Sequence, residues 1–431
     1  MREFMDYVHS AFYEATGWSS DNSYASLNST SDALLNFPTP QGLRLTLSSL
    51  ASANFATSYQ LGSVGVVDGS ISYLFSSIPL RLHLTPQSEQ VSLPTLLRSY
   101  KPLTPLTVTQ QRNGARDQRR PSLFYGRFFL PQSQLEALVV KRITAAIQVQ
   151  LSAVSAQYLR DGGTLLGLAQ YCVGQYAFEG LASSDGGLLG LRGIYNFGGD
   201  AASGATDTVG ERERIYGRFS TGGEIYYGTL NKSGGISLGT RFATLPAHRG
   251  TPLSATLTVN PLMGNLAASY AVVAGKQCSL ATRMEFNVFS YESTWAVGME
   301  LWRKPMRSMD VPSPQRDDDG DKSAQIWRPP IERSFQAKLE WRLDKADSKP
   351  TIIATPEPER ILSLAKPSAA GKGGDDEYAG VLKARLDQNM RIGVLWEGRV
   401  KSLLFSLGSG IDLRRLDKPF RTLGLEIQFS S

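Results

Sequence analysis

The side chains that most often carry catalysis or bind metals are few and scattered in this sequence. His9, His83 and His248 lie in unrelated segments, and Cys172 and Cys278 show no CxxC spacing. Nucleophilic catalysis needs a nucleophile, a base and an orienting group within reach of one another, and a structural zinc site needs four clustered ligands. The spacing therefore predicts neither a triad nor a zinc site, and each cysteine is interpreted as a packed thiol.

An acidic run and two glycine-rich runs also fail as ligand sites. Asp317–Asp321 (DDDGD) resembles a calcium loop, but aligning its glycine with the turn glycine places Gln315 and Ile326 at the first and last ligand positions. GLLGLRG at 187–193 lacks the order of a dinucleotide-binding loop, and GKGG near Gly371 lacks the Lys-Ser/Thr of a phosphate loop. We therefore predict that the protein is not an enzyme and has no cofactor and no metal site.

Positive charge does not predict nucleic-acid binding here. The chain has 431 residues and a net charge of +6, and its dense basic cluster is confined to one segment, RNGARDQRRP. The segment has no interleaved aromatic residues and no nucleic-acid-binding motif. We interpret it as a solvated loop with no nucleic-acid partner; its members are Arg112, Arg116, Arg119 and Arg120.

The elements that must position any site are predominantly β-strands. From Gly42 onward, apolar and polar residues alternate with a period of two, and turn signals such as Asp68-Gly69 and Asn260-Pro261 separate the runs. Each run has about 8–12 residues, close to the ~9–11 that a tilted strand needs to cross the hydrocarbon core. The runs include segments around Leu80–Leu84, Ile147, Leu189, Phe286, Phe335–Leu343, Ile392 and Leu425.

A sheet of this length must bury its edges as well as its apolar face. Little helix is expected after residue 40 to cover either face, and closure into a barrel removes the edges altogether. We therefore predict an all-β fold, a single transmembrane β-barrel of about 19 strands with a polar lumen. The polar side chains expected to line the lumen include Arg192, Arg283, Glu285, Lys338, Glu340 and Arg342.

The first 40 residues differ from the rest. Phe4, Val8 and Phe12 recur at helical spacing, which predicts a short amphipathic helix over Met1 to about Trp18, followed by a linker through Thr30. A second short turn is expected to be capped by Ser31 or Asp32 and stopped before Pro40. We expect residues 1–40 to lie in or under the lumen.

Residues 41–431 are assigned to the barrel, with three long loops. These loops, at about 85–121, 304–334 and 344–377, are rich in Pro, Gln, Arg and Asp. Such composition cannot fill a core, so we interpret them as mobile surface segments. The start of the chain has neither a secretory signal nor a typical mitochondrial presequence, and this favours an organelle barrel made in the cytosol.

Several long strings resemble the fungal mitochondrial distribution and morphology protein 10 family. They are FMDYVHSAFYEATGW, DNSYASL, FPTPQGLRLTLSSL, FATSYQLGSVGVVDGSISYLF and GLLGLRGIYNFG, and the resemblance extends from Phe4 to Phe429. It implies a multi-pass barrel of the mitochondrial outer membrane, related in architecture to the nineteen-stranded mitochondrial porins.

The resemblance also implies partners and roles. Members of the family serve the ER–mitochondria encounter structure, whose other subunits are an ER-anchored protein and cytosolic proteins with lipid-transfer domains. That assembly tethers the two membranes, supports phospholipid exchange and affects mitochondrial morphology and inheritance. Members also assist the sorting and assembly machinery, with its core barrel and cytosolic-side subunits, in late barrel assembly. Membrane lipids are the remaining expected partner.

The last predicted strand matches the mitochondrial β-signal. That signal reads polar, any, Gly, two of any, hydrophobic, any, hydrophobic, and the matching residues are Thr422, Gly424, Ile427 and Phe429. A final strand pairs with the insertase edge, and the glycine permits close approach there. A well-formed last strand without a signalling role fits the same spacing.

Two aromatic residues near the end of an early strand are candidate partner contacts. Tyr73 and Phe75 precede Ser76 and Pro79. They fit an aromatic belt at the membrane interface, and they also fit a docking surface for a cytosol-facing partner. Two further functions stay open at this point, a diffusion or import pore of the mitochondrial porin type and a soluble β-protein with an extended binding surface.

Overall fold

The structure is a computed structural model, and it describes residues 1–64, 66–82, 84–106, 120–157, 159, 162–197, 217–246, 248, 250–275, 277–304, 378–414 and 420–431. The described elements belong to a compact unit formed by Met1–Pro305 and Gly373–Ser431. Within the described ranges, no helix combines the length and apolar character needed to cross a membrane.

Nineteen strands in the described residues form one sheet. Their bounds are β1 Gly42–Ser52, β2 Phe55–Val64, β3 Val66–Ser76, β4 Ser122–Leu130, β5 Gln134–Arg142, β6 Ile147–Ser155, β7 Gly163–Cys172, β8 Tyr176–Ser183, β9 Leu188–Phe197, β10 Gly217–Gly228, β11 Ser233–Thr244, β12 Leu253–Asn260, β13 Asn265–Ala274, β14 Cys278–Asn287, β15 Ser293–Arg303, β16 Gly380–Asp387, β17 Arg391–Val400, β18 Leu403–Asp412 and β19 Phe420–Ser430.

The sheet closes on itself through its first and last strands. Consecutive strands pair antiparallel, whereas β1 and β19 pair parallel, in register from Gly42 opposite Gly424 to Ser48 opposite Ser430. Closure leaves every strand with a neighbour on both sides, which is the condition for placing strands in hydrocarbon. The prediction of a closed β-barrel of about 19 strands is confirmed.

Successive side chains point alternately into and out of the barrel. On β9, Leu191 is 69% exposed, while its neighbour Arg192 pairs with carboxylates on the adjoining strands. Ladder partners share a face, so the same alternation holds around the sheet. The outward face carries large apolar side chains, among them Leu43, Leu45, Leu47, Leu61, Phe128, Leu151, Phe178, Tyr227, Leu257, Met284, Trp396 and Leu407.

In the described residues, three short α-helices lie outside the strands. Helix α1 spans Phe4–Thr16, α2 spans Ser29–Leu35 and α3 spans Leu93–Leu96. Gly17 ends α1 in the left-handed conformation with φ of 66°, and its N–H donates to Glu14. The predicted cap of the second helix is wrong, since Asn28 occupies the cap position and both Ser31 and Asp32 lie inside α2.

The prediction of a strand at Leu80–Leu84 is wrong. Residues Leu80–Leu82 form a 3-10 turn, and the N–H of Leu84 donates to the carbonyl of Leu80 at 2.9 Å. Leucines four residues apart lie on one face of a helical turn as readily as on one face of a strand. Both Leu80 and Leu84 are buried against α1, which selects the helical form.

The interpretation of residues 85–121 as a mobile surface loop is wrong for residues 85–106. Leu93, Leu96 and Leu97 are buried and pack against Val381 of β16 and Leu404 of β18. Leucines spaced three and four residues apart within a polar segment provide the apolar face that composition alone did not indicate.

Other predictions concern residues outside the described ranges. They are the strand at Phe335–Leu343 with its lumen residues Lys338, Glu340 and Arg342, the acidic run Asp317–Asp321, the basic residues Arg112, Arg116 and Arg119, His83, and almost all of the loops at 304–334 and 344–377.

Candidate functional site: the occupied lumen and the outer rim

The N-terminal segment, residues 1–41, lies against the inner face of the barrel wall. Its helix α1 buries Val8 and Phe12 beside β2 and β3. A carboxylate oxygen of Glu3 accepts a hydrogen bond at 2.9 Å from Arg127, which points inward from β4. An apolar stripe on a short helix therefore packs on the wall, and an ion pair fixes its start.

After α1 the segment continues along β7 to β11. The amide of Asn22 donates to the Cys172 thiol at 3.2 Å and accepts from Asn196 at 2.8 Å. The hydroxyl groups of Tyr24 and Ser237 are 2.7 Å apart. These contacts place residues 22–26 across the inner face of the strands opposite β2.

The rest of the segment follows the wall to the closing seam. Ser31 accepts a hydrogen bond from Ser269 at 3.1 Å, and Asp32 forms an ion pair with Arg283 at 3.2 Å. At its end, the hydroxyl of Thr39 lies 3.3 Å from that of Thr422 on β19. The N-terminal segment thus runs around the interior from β2 to β19 before it enters β1.

Inward-facing glycines make room for this segment. A Cβ on Gly298 of β15 would lie 2.6 Å from the carbonyl oxygen of Leu34, and a Cβ on Gly424 of β19 would lie 2.5 Å from the carbonyl carbon of Pro40. Real Cβ contacts are longer than this, so any other residue would push the segment off the wall.

A second internal segment, residues 77–106 between β3 and β4, shares the lumen. The N–H of Arg2 donates to the carbonyl of Leu96 at 3.1 Å, and Arg98 lies 3.6 Å from Asp6. Thr104 donates to Asp21 at 3.2 Å. The two internal segments therefore contact each other as well as the wall.

Cationic side chains of the wall hold both segments by their main-chain carbonyls. Arg385 donates to Leu35 and Phe37 at 3.2 and 3.1 Å, and Arg399 donates to Val91 at 2.6 Å. Each such charge-assisted bond contributes about 1.5–3 kcal/mol, and it also provides the partner that a buried cation requires. The same pattern joins Arg142 to Thr16, Arg241 to Ser26, Arg218 to Thr104 and Lys383 to Arg98.

Two further charge clusters belong to the wall itself. Arg192 lies 3.2 Å from Glu224 and 3.7 Å from Glu179, while the Tyr226 hydroxyl donates to Glu224 at 2.8 Å. Between β16 and β17, Lys383 pairs with Glu397 at 2.9 Å, and both side chains are buried. Glu397 also contacts the Met1 amino group. These clusters neutralise buried charge and resemble the interior of a packed protein.

The described residues contain no group of three or more His, Cys, Asp or Glu side chains that could hold a metal ion. Cys172 and Cys278 are free thiols on β7 and β14. His9 of α1 packs against the Tyr13 ring at 4.8 Å, and burial lowers the pKa of its imidazole to about 4. The described residues of the site offer surfaces and internal contacts for binding.

Comparison of the sequence with known proteins identifies its family. The family model for mitochondrial distribution and morphology protein 10 matches residues 1–431. The chain belongs to this family. A member from Chaetomium globosum is 58% identical over 95% of this chain and 99% of its own length. Members from Podospora anserina and Neurospora crassa are 54% and 53% identical, each over 100% of both chains.

The four predicted β-signal residues all lie on β19, and the alternation divides them. Thr422 and Gly424 face the lumen, where they meet Thr39 and Pro40 of the N-terminal segment. Ile427 and Phe429 face outward, opposite Leu45 and Leu47 of β1. In this member of the family, the polar and glycine positions of the motif therefore contact the chain that precedes β1, and the hydrophobic positions lie at the seam's outer surface.

Tyr73 and Phe75 lie on the outward face near the end of β3. Tyr73 stacks on Phe55 at 5.9 Å, and Phe75 meets Phe124 at 6.4 Å. The four rings form a cluster where β3 ends and β2 and β4 begin, the position that an interfacial aromatic belt occupies. We call this cluster the outer rim.

The sequence reasoning missed the cations that bind main-chain carbonyls. A usable signal existed, because Arg142, Arg241, Arg385 and Arg399 each stand next to outward apolar positions in alternating strands. Such a position predicts an inward charge that needs a partner. It does not identify the partner, which here is a distant part of the same chain.

Proposed function

We propose that the protein is a non-enzymatic scaffold of the mitochondrial outer membrane that acts in mitochondrial distribution and morphology. In this proposal it anchors the ER–mitochondria encounter structure and assists the sorting and assembly machinery in late β-barrel assembly. Family membership, the closed barrel and the apolar outer face support the proposal. The names of the relatives support the part of the proposal that concerns mitochondrial distribution and morphology.

One observation favours a scaffold over a porin-type pore. Wall cations from β5, β10, β11, β16 and β17 donate to main-chain carbonyls of two internal segments, so the barrel binds its own chain inside. A water-filled pore of the porin type leaves that space to solutes. Occupation of the lumen favours a protein that works through its outer and terminal surfaces.

The partners follow from this proposal. They are the ER-anchored and cytosolic lipid-transfer-domain subunits of the encounter structure, the core barrel and cytosolic-side subunits of the sorting and assembly machinery, and membrane lipids. The outer rim with Tyr73 and Phe75 is the proposed docking surface. The β19 residues Thr422, Gly424, Ile427 and Phe429 are the proposed insertion signal.

Crosslinking in native outer membranes, followed by identification of the crosslinked proteins, tests the scaffold directly. The expected result is recovery of subunits of both assemblies from separate fractions of the protein. Recovery of neither assembly from membranes in which the barrel is carbonate-resistant would contradict the proposal.

The alternative function is a diffusion or import pore of the mitochondrial porin type. Planar bilayer recordings separate the two functions, because the internal contacts predict small and unsteady currents for the wild-type protein. A large, stable and ion-selective conductance from the purified full chain would favour the pore.

A further inference from the structure

Two neighbouring turns carry large apolar side chains at the end of the barrel where β1 begins. Residues 261–264 join β12 to β13, and residues 288–292 join β14 to β15. We call these two turns the apolar tips. More than half of each of four large side chains is exposed there, Leu262 at 54%, Met263 at 63%, Phe289 at 68% and Tyr291 at 81%.

Hydrogen bonds fasten the two apolar tips to each other. The N–H of Val288 donates to the carbonyl of Gly264 at 2.8 Å. The side-chain amide of Asn287 donates to the carbonyl of Met263 at 3.2 Å. The Phe289 ring covers Gly264, since a Cβ on that glycine would lie 2.7 Å from the ring. The apolar tips therefore form one surface of fixed shape.

Two asparagine side chains accept hydrogen bonds from main-chain N–H groups of the apolar tips. Asn260 accepts from the N–H of Met263 at 3.1 Å. Asn287 accepts from the N–H groups of Phe289 and Ser290 at 2.8 and 2.9 Å. A main-chain group without a partner costs several kcal/mol where water is absent, and these groups have their partners within the protein. This bonding lowers the cost of moving the apolar tips out of bulk water.

The lipid-facing wall of β12, β13 and β14 is apolar up to the apolar tips. Phe286 lies two residues after Met284, which is 58% exposed on the outer face. The ladder places Leu266 of β13 opposite Phe286 of β14 and opposite Val259 of β12, so these three side chains share the outer face. Val288 continues the same row beyond the end of β14. The apolar tips are therefore continuous with the surface that faces the bilayer.

Two turns elsewhere on the barrel have polar residues at the same end. Residues 131–133 between β4 and β5 are Pro-Gln-Ser, and residues 184–187 between β8 and β9 are Ser-Asp-Gly-Gly. Such residues are typical of turns that reverse the chain in water. Large exposed apolar side chains are therefore not a general property of the turns at this end.

We propose that the apolar tips bind the lipid surface and insert Leu262, Met263, Phe289 and Tyr291 into the boundary between headgroups and acyl chains. Projecting Leu and aromatic side chains bind that boundary by burying apolar area. The tips project from the wall and form no groove for a protein side chain to fill, and they continue a surface that already faces lipid. The proposal depends on the membrane barrel and not on the scaffold function.

The test replaces Tyr291 in the full chain with the photoreactive amino acid benzoylphenylalanine. The protein is irradiated in native membranes and in phosphatidylcholine vesicles, and mass spectrometry separates lipid adducts from protein adducts. Phospholipid adducts should dominate in both preparations. A dominant protein adduct in native membranes, whether with a partner or with a second copy of this chain, overturns the proposal.

Gln132 provides the matched control position. It is exposed on a polar turn at the same end of the barrel, so the orientation of the protein in the vesicles affects both positions equally. Benzoylphenylalanine at 291 should give several-fold more lipid adduct than the same group at 132. Equal yields at the two positions contradict the proposal.

Cysteine labelling measures the same contact from the aqueous side. The native thiols are first removed by Cys172→Ser and Cys278→Ser, and a membrane-impermeant maleimide is then added to vesicles with Met263→Cys or Gln132→Cys. Met263→Cys should react several-fold more slowly than Gln132→Cys in vesicles and at the same rate after unfolding in urea. Equal rates in vesicles would place the apolar tips in water and overturn the proposal.

Discussion

Gly424 of β19 lies directly against Pro40, the residue two positions before β1, with room for a hydrogen atom and nothing larger. A methyl group at 424 would stand 2.5 Å from the carbonyl carbon of Pro40. The last strand and the chain that leads into the first strand therefore pack together at the seam where the barrel closes. The glycine of the predicted β-signal therefore has a structural reason that is independent of its proposed role as a signal.

Replacing that glycine should disturb closure. Gly424→Ala should lower the heat resistance of the folded barrel, since Pro40 must shift, and Gly424→Trp should leave the protein uninserted. Gel migration with and without heating measures the first effect, and carbonate extraction of mitochondria measures the second. Gly126→Ala is the control, because its Cβ meets nothing closer than the Glu136 carbonyl oxygen at 3.9 Å, an ordinary contact distance. Wild-type behaviour of Gly424→Trp would count against the closure argument.

The outward positions of the signal are tested by Phe429→Asp. A carboxylate on the lipid-facing side is costly, and at this position it also replaces a hydrophobic residue of the proposed signal. We expect loss of carbonate-resistant integration. Phe197→Asp carries the same lipid-facing penalty outside the signal. Equal failure of the two variants would assign the effect to burial in the membrane alone.

The outer rim is tested by Tyr73→Asp. Tyr73 and Tyr270 are 44% and 45% exposed on outward faces of β3 and β13, so Tyr270→Asp is a matched control. Tyr73→Asp should weaken recovery of partner subunits in pull-downs while the barrel still inserts. If insertion fails together with partner recovery, Tyr73 has a structural role in the aromatic belt.

Release of the N-terminal segment should open the lumen. Arg385→Ala removes the hydrogen bonds to Leu35 and Phe37, each contributing about 1.5–3 kcal/mol. We expect larger bilayer currents and faster proteolysis of residues 1–41. Arg391→Ala removes an exposed cation 3.7 Å from Asp412 and serves as the control. Identical currents from the two variants would refute a role of Arg385 in retaining the segment.

Acid should loosen helix α1 through His9. Burial lowers the pKa of His9 from 6.5 to about 4, so the docked helix binds fewer protons than the released helix between these values. Docking is therefore favoured above pH 6.5 and weakens as the pH falls toward 4. Hydrogen exchange of α1 amides across this range measures the effect. His9→Phe should flatten the profile, and an unchanged profile in that variant would exclude His9 as the cause.

Strand alternation made the barrel predictable, because lipid outside and polar contacts inside impose opposite demands on neighbouring residues such as Leu191 and Arg192. The internal segments were harder to predict. Leu80 and Leu84 satisfy both a strand and a helical turn, and only their packing on α1 decides between them. The fit of Pro40 against Gly424 joins residues at opposite ends of the sequence, and no local pattern encodes such a contact.

The parallel pairing of β1 with β19 also sets the order of events during biogenesis. β19 follows the other described strands in the chain, so β1 is paired with β2 on one side only until β19 has been made. The residues before β1 lie inside the closed sheet, where they pack from β2 and β3 round to Thr422 of β19. Until β1 and β19 pair, each of these two strands has one row of unpaired backbone N–H and C=O groups, and the pairing of seven residues from Gly42 to Ser48 satisfies both rows together.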